Sequence, residues 1–168
     1  GRLLMREVAV GGLTLGNHRL MAVIAGPCQL QSLDHAQMIA GHMSEICARL
    51  NTPYVFKASF DKANRSSLSG QRGLGIAAGL KILAAVRAMG IPVLTDIHDA
   101  AQASEAADVV DVLQIPALLC RQTDLLLAAG RTGCAVNVKK GQFLAPWDMG
   151  NVAEKIAATG NTNIMLTE

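Results

Sequence analysis

Six short apolar runs punctuate the chain, at 20–25, 54–58, 93–95, 110–115, 135–138 and 164–167. Within each, apolar residues follow one another instead of alternating with polar ones. A strand written this way buries both faces, as strands of a parallel sheet covered on both sides do. Between the runs lie longer stretches whose apolar residues recur every three or four positions, the spacing of a helix with one buried face. In the first of these, Ala36, Ile39, Ala40, Met43, Ile46, Cys47 and Leu50 make one stripe. Ser32 precedes it as an N-cap, and Asp34 lies in the first turn, where the helix dipole favours negative charge. Further helices are expected at about 73–89, from Asp99 with Gln102 as its capping-box partner, at 123–129 and at 146–158. Gly90, Gly130 and Gly160 are expected to close three of them. Ahead of the first run, Val8-Ala9-Val10 and Leu13-Thr14-Leu15 flank Gly11-Gly12 and predict a β-hairpin.

A β-α unit repeated five times and followed by a sixth strand leaves two architectures. One is an open doubly wound sheet; the other is a closed (β/α)8 TIM barrel. The residues after each run favour the barrel. Gly26-Pro27-Cys28-Gln29 follows the first run, and Lys57 to Ser67 closes and follows the second. Asp96-Ile97-His98-Asp99 follows the third, Gln114-Ile115-Pro116-Ala117 ends the fourth, Lys139-Lys140 ends the fifth and Thr167-Glu168 the sixth. Every strand delivers polar or reactive groups at its C-terminal end. An open sheet draws its site mainly from two strands, whereas a barrel draws on all of them at one rim. Such a barrel usually takes about 250 residues, and this chain has 168. The expectation is a single domain over 1–168 that is C-terminally incomplete, covering the hairpin and about the first six barrel strands.

Composition narrows the function classes. Fifteen Lys and Arg against thirteen Asp and Glu give a net charge of +2, and 3% of residues are aromatic. That supplies neither a basic footprint nor a stacking platform for nucleic acid. No apolar run reaches the length of a membrane span, and the first residues lack the order of a secretory signal. Cys28, Cys47, Cys120 and Cys134 form no CxxC pair and read as four reduced thiols. A cytoplasmic protein with no membrane partner is expected.

The expected rim is cationic. Lys57, Lys62, Arg65, Lys139 and Lys140 lie near strand ends with few acids beside them. Cations gathered at one mouth call for anions, as phosphate or carboxylate groups of a substrate; a solvated basic loop is the alternative. Ser59, Ser66 and Ser67 add neutral donors. Because Lys139 directly follows Val138, one of Lys139 and Lys140 must point into the mouth. The same two-residue period puts Asp96 and His98 on one face. Acid, base, hydrogen-bond donor and helix-capping roles are all open to that pair. Cys28 follows Gly26-Pro27 at a strand end, open to roles as metal ligand, nucleophile or inert buried thiol. Cys47 lies on the apolar helical stripe and Cys134 starts a strand at the opposite rim; both read as structural. No GxxxxGK[ST], HExxH or GxSxG motif is present.

The segment Phe56-Lys57-Ala58-Ser59-Phe60-Asp61-Lys62-Ala63-Asn64-Arg65-Ser66-Ser67 resembles the signature of the 3-deoxy-D-manno-octulosonate 8-phosphate synthase family. Ala107 to Val112, Arg121-Gln122-Thr123-Asp124-Leu125 and Asn137-Val138-Lys139-Lys140 resemble it too, in matching order and spacing. The related family that makes 3-deoxy-7-phosphoheptulonate shares the Gly-Pro-Cys turn, but carries a Lys-Pro-Arg type segment where this chain has Lys62-Ala63-Asn64-Arg65. The resemblance implies condensation of phosphoenolpyruvate with arabinose 5-phosphate, with release of phosphate, in lipopolysaccharide biosynthesis. The heptulonate synthase and a non-catalytic half-barrel binding protein are the alternatives. By position, Lys57, Ser59 and Lys62 resemble groups that hold the phosphoenolpyruvate end, and Gln114, Ala117 and Lys139 resemble those that hold its phosphate. Asn64, Arg65, Ser66, Asp96 and His98 resemble the arabinose 5-phosphate contacts, with Lys62, Asp96 and His98 the catalytic candidates. Arg121 resembles a residue that reaches a neighbouring subunit's site, which implies a homotetramer. Cys28 stands where metal-dependent members carry cysteine and metal-independent members carry asparagine. The resemblance therefore implies a divalent metal (Zn, Fe, Mn, Co or Cd), with further ligands and a phosphate-binding arginine expected beyond Glu168.

Overall fold

The computed structural model describes residues 6–62, 67–69 and 73–168. A hairpin of β1 (Val8–Val10) and β2 (Leu13–Leu15) precedes one sheet of six strands. These are β3 (Val23–Ala25), β4 (Tyr54–Lys57), β5 (Val93–Asp96), β6 (Val112–Ile115), β7 (Ala135–Lys139) and β8 (Ile164–Thr167). All neighbours are parallel, and their order in the sheet is their order in the chain. That order separates the two architectures. A doubly wound sheet reverses direction at a switch point and has helices on both faces. Sequential right-handed crossovers instead place every helix on the same face. The chain is therefore the curled sheet and outer helix layer of a (β/α) barrel, with β3 and β8 at its edges.

Five helices form the outer layer: α1 (Leu33–Arg49), α2 (Ile76–Arg87), α3 (Ala100–Ala107), α4 (Thr123–Arg131) and α5 (Met149–Ala157). The main core lies between them and the sheet. Phe56, Val93, Leu113, Ile115, Val136 and Val138 from the strands meet Ala36, Ala40, Leu83, Val86, Leu126 and Ile156 from the helices. Gly79 fixes how close α2 comes. A Cβ there would lie 2.3 Å from the Phe60 Cβ, so helix and sheet meet at a distance that only glycine allows.

The inner face has a second core. Val8, Val10 and Leu15 of the hairpin pack on Val55, Leu94, Val112 and Ala135. The hairpin thus closes the lower end of the curled sheet, and the Asn163 carboxamide oxygen anchors it by accepting the Ala9 N–H at 3.2 Å.

Several boundaries differ from the expected ones. The first strand begins at Val23, not at Leu20; Leu20 and Met21 are 67% and 79% exposed. The fourth barrel strand begins at Val112, because Asp111 is used as a bracket: its carboxylate accepts the Val93 N–H at 2.9 Å and pairs with Arg87 at 3.1 Å. Helix α2 starts at Ile76, since the preceding loop is still tied by the Gly75 N–H to the Phe60 carbonyl at 3.1 Å. Helix α4 runs on through Gly130 to Arg131. The last helical stretch opens as a 3-10 turn, Pro146–Asp148, before α5. Asp99 caps α3 as expected, accepting the Gln102 N–H at 3.0 Å, but the Gln102 side chain accepts the His98 N–H at 2.8 Å and not the cap's own. Among the described residues, no helix is long and apolar enough to cross a membrane.

Candidate active site

Strand parity builds the mouth. Val55, Leu94, Val112 and Ala135 face inward against the hairpin. Two residues further along each strand, on the same face, are Lys57, Asp96, Gln114 and Asn137, and Lys139 is two beyond Asn137. An apolar layer below therefore gives way to a polar layer at the C-terminal rim. This assigns the adjacent lysines. Lys139 faces the mouth, while Lys140 faces outward and donates to the carbonyls of Gly141 (3.3 Å) and Leu144 (3.2 Å) in the loop that follows.

Three polar groups come together above β4 and β5. The Ser59 hydroxyl donates to one oxygen of Asp96, and His98 Nε2 lies 3.3 Å from the other. Burial pushes the Asp96 carboxyl up, but the hydrogen bonds from His98 and Ser59 outweigh it and hold the group below its ordinary value. Asp96 is thus a fixed carboxylate that orients the imidazole. Phe60 meets that ring edge-on, with centroids 6.4 Å apart.

A second group crosses three strands. Asn137 Nδ2 donates to Gln114 Oε1 at 3.0 Å, and the Thr167 hydroxyl donates to Asn137 Oδ1 at 2.9 Å. Gln114 and Asn137 are 5% and 3% exposed. Sequence reasoning named Thr167 only as a polar strand end and gave Asn137 no role of its own, because Asn137 stands inside a run read as an apolar strand. The available signal was a carboxamide on the same face as Lys139.

The third group joins two loops. The Lys62 ammonium contacts the Cys28 sulfur. Gly26 lets these loops meet: a Cβ there would lie 1.9 Å from the Lys57 carbonyl oxygen. Cys28 is an exposed free thiol; Cys47 and Cys120 are buried, and Cys134 is half-buried. Burial pushes the Cys134 thiol up to about 11, in keeping with an inert structural thiol. Among the described residues, no three His, Cys, Asp or Glu side chains gather as a metal site. Cys28 has the softness and accessibility of a single ligand, and no more than that is assembled here.

The other expected site residues are placed as follows. Ala117 opens the 3-10 turn after β6, at the rim. Arg121 is exposed just before α4, in the connection that follows β6, and its carbonyl accepts from Lys155 at 3.4 Å. Asn64, Arg65 and Ser66 lie outside the described residues. A cleft of about 760 Å³ opens between β3, β8 and the hairpin, and Asn137 and Thr167 reach its wall.

A curled parallel sheet with cations, an oriented imidazole and buried amides at one rim is the class of scaffold that barrel enzymes acting on small anionic substrates use. Comparison with known proteins narrows it. A family model described as the DAHP synthetase I family matches residues 6–168, and the chain belongs to that family. It is similar to proteins named 2-dehydro-3-deoxyphosphooctonate aldolase. The one from Granulibacter bethesdensis is 62% identical over 164 residues, 97% of this chain and 58% of that protein. The one from Nitrobacter winogradskyi is 62% identical over 162 residues, 96% and 56% of the two chains. That from Nitrobacter hamburgensis is 60% identical over 162 residues, again 96% and 56%. The chain thus spans less than three-fifths of the length of these relatives.

Proposed function

We propose that the protein carrying this chain condenses phosphoenolpyruvate with D-arabinose 5-phosphate and water, giving 3-deoxy-D-manno-octulosonate 8-phosphate and inorganic phosphate. The observation that carries this is the inward-facing layer of Lys57, Asp96, Gln114 and Lys139. It is supported by relatives about 60% identical whose name denotes a phosphorylated eight-carbon deoxy acid. Three carbons from phosphoenolpyruvate and five from the aldose make that skeleton; a four-carbon aldose would make the seven-carbon product of the heptulonate synthase.

In this reading, C3 of phosphoenolpyruvate attacks the aldehyde carbon and water adds at C2. The C2 carbon–oxygen bond to phosphate then breaks. Two phosphates and a carboxylate must approach one another, and their repulsion is the main obstacle. Lys57 and Lys62 hold the carboxylate end of phosphoenolpyruvate, while the Ser59 hydroxyl stays on Asp96 beside them. Gln114, the backbone at Ala117 and Lys139 hold its phosphate, and fixed cations offset the charge that builds up as phosphate leaves. Asp96 orients His98 toward the aldose, with Asn64, Arg65 and Ser66 completing that subsite. In this reading His98 donates to the aldehyde oxygen as that oxygen gains charge.

Cys28 is proposed as one ligand of a divalent metal, with Lys62 releasing the sulfur when the ion binds. Such an ion supplies a Lewis acid that orients water or the aldehyde. Arg121, exposed in the connection before α4, is proposed to reach a neighbouring subunit's site in a homotetramer. A cytoplasmic setting completes the proposal.

The test is phosphate release by the natural protein with phosphoenolpyruvate and arabinose 5-phosphate, beside erythrose 4-phosphate as the second aldose. Turnover with arabinose 5-phosphate alone supports the proposal; turnover with erythrose 4-phosphate alone, or none with either, refutes it. Elemental analysis of wild type against Cys28→Ala tests the metal. Loss of bound divalent metal in the variant is expected, and equal metal content would remove Cys28 as a ligand.

A further inference from the structure

We propose that Asn137 is a positioning residue that fixes which end of the Gln114 carboxamide faces the mouth. This inference rests on the reading that an anion occupies that mouth.

A primary amide has two unlike ends, an NH2 that donates and an oxygen that accepts. Only the NH2 end favours a phosphate. The shape of the side chain does not select between the ends, so its neighbours must. Asn137 Nδ2 donates to Gln114 Oε1 at 3.0 Å, engaging the oxygen end from β7. Asn137 is itself held by the Thr167 hydroxyl, which donates to its Oδ1 at 2.9 Å from β8. On the other side of Gln114, in register on β5, stands Asp96. A carboxylate only accepts, so a reversed Gln114 would turn its oxygen toward like partial charge. Thr167, Asn137 and Gln114 thus form one directional series, and its free donors end at the rim beside Lys139.

Burial argues that the series is there for a purpose. Two carboxamides with 5% and 3% exposure stand on inner faces where branched apolar side chains usually fill a barrel. Buried amides are tolerated when their partners are supplied, and here each supplies the other. Asn137 does not need to touch substrate for this role; it acts through Gln114.

The experiment compares four variants of the natural protein: Asn137→Asp, Asn137→Leu, Thr167→Val and Thr167→Ser. The readouts are separate KM values for the two substrates, kcat, the thermal midpoint and calorimetric affinity for inorganic phosphate. Asn137→Asp keeps the shape but turns the donor into an acceptor. Asn137→Leu removes the donor without adding charge. Both are expected to raise KM for phosphoenolpyruvate and to weaken phosphate binding about ten- to a hundredfold, the worth of one hydrogen bond to a charged group. KM for arabinose 5-phosphate stays unchanged. Thr167→Val shifts the same quantities in the same direction by less, and Thr167→Ser restores them. Loss confined to Asn137→Asp would overturn the proposal, since it would report charge repulsion alone. Equal loss for both substrates, in step with a lower thermal midpoint, would also overturn it. If the wild-type protein binds phosphate but does not turn over, the proposed function fails and phosphate affinity across the four variants still decides this claim. A wild-type protein that binds no phosphate contradicts it.

Discussion

Asp96 shows how a single residue's surroundings set its chemistry. Desolvation favours the neutral acid, but hydrogen bonds from His98 and Ser59 outweigh it and keep the carboxyl below its ordinary range. A depressed carboxyl stabilises the fold above its unfolded value, and that contribution disappears as pH falls through the folded value. Acid unfolding followed by circular dichroism is therefore expected to lose its steepest part in Asp96→Asn, while wild type loses stability on acidification through this window. Tyr54 gives the opposite sign. Burial pushes its phenol from 10.0 up to about 12, and its hydroxyl donates to the Ala25 carbonyl at 2.8 Å. Its contribution is complete below the unfolded value and lost as pH rises toward about 12. Tyr54→Phe is expected to cost about 1 kcal/mol near neutral pH and to remove that alkaline loss, as urea denaturation at several pH values would show. Asp96 and His98 were legible from the chain because the two-residue strand period puts them on one face. The Lys62 contact to Cys28 was not, since it joins loops after different strands and no local spacing records it.

At the level of elements, close approach of backbone decides more than propensity does. Gly79 stands inside α2, where alanine normally adds about 1 kcal/mol of helix stability. Here a Cβ would fall 2.3 Å from Phe60. Gly79→Ala is therefore expected to destabilise by about 1–3 kcal/mol, reversing the helix-propensity sign; a raised denaturation midpoint would contradict the packing described. The hairpin is the second case. Val10 is fully buried against the inner face of the sheet, so Val10→Ala should cost about 2 kcal/mol by the same measurement. Both elements were visible as patterns, the hairpin from Gly11-Gly12 between alternating apolar residues and α2 from its apolar spacing. What the pattern could not show was where each packs, because that depends on surfaces brought together from distant parts of the chain. Leu20 and Met21 illustrate the limit: they extend an apolar run, yet pairing starts only at Val23, beside Tyr54.

The whole molecule follows from the order of its strands. Consecutive parallel strands with every helix on one side leave an inner face, and strand parity divides that face into an apolar layer under the hairpin and a polar layer at the rim. The repeated β-α units and the polar strand ends make this architecture readable from the chain. The link from Thr167 through Asn137 to Gln114 escaped because one carboxamide in a short apolar run looks like noise until the neighbouring strands are in register. The central claim is that this rim gathers phosphoenolpyruvate and a five-carbon aldose phosphate. Its most direct test is phosphate release by the natural protein when arabinose 5-phosphate and erythrose 4-phosphate compete for limiting phosphoenolpyruvate. The account predicts that phosphate release matches formation of the eight-carbon product. A seven-carbon product, or no release of phosphate, would contradict it.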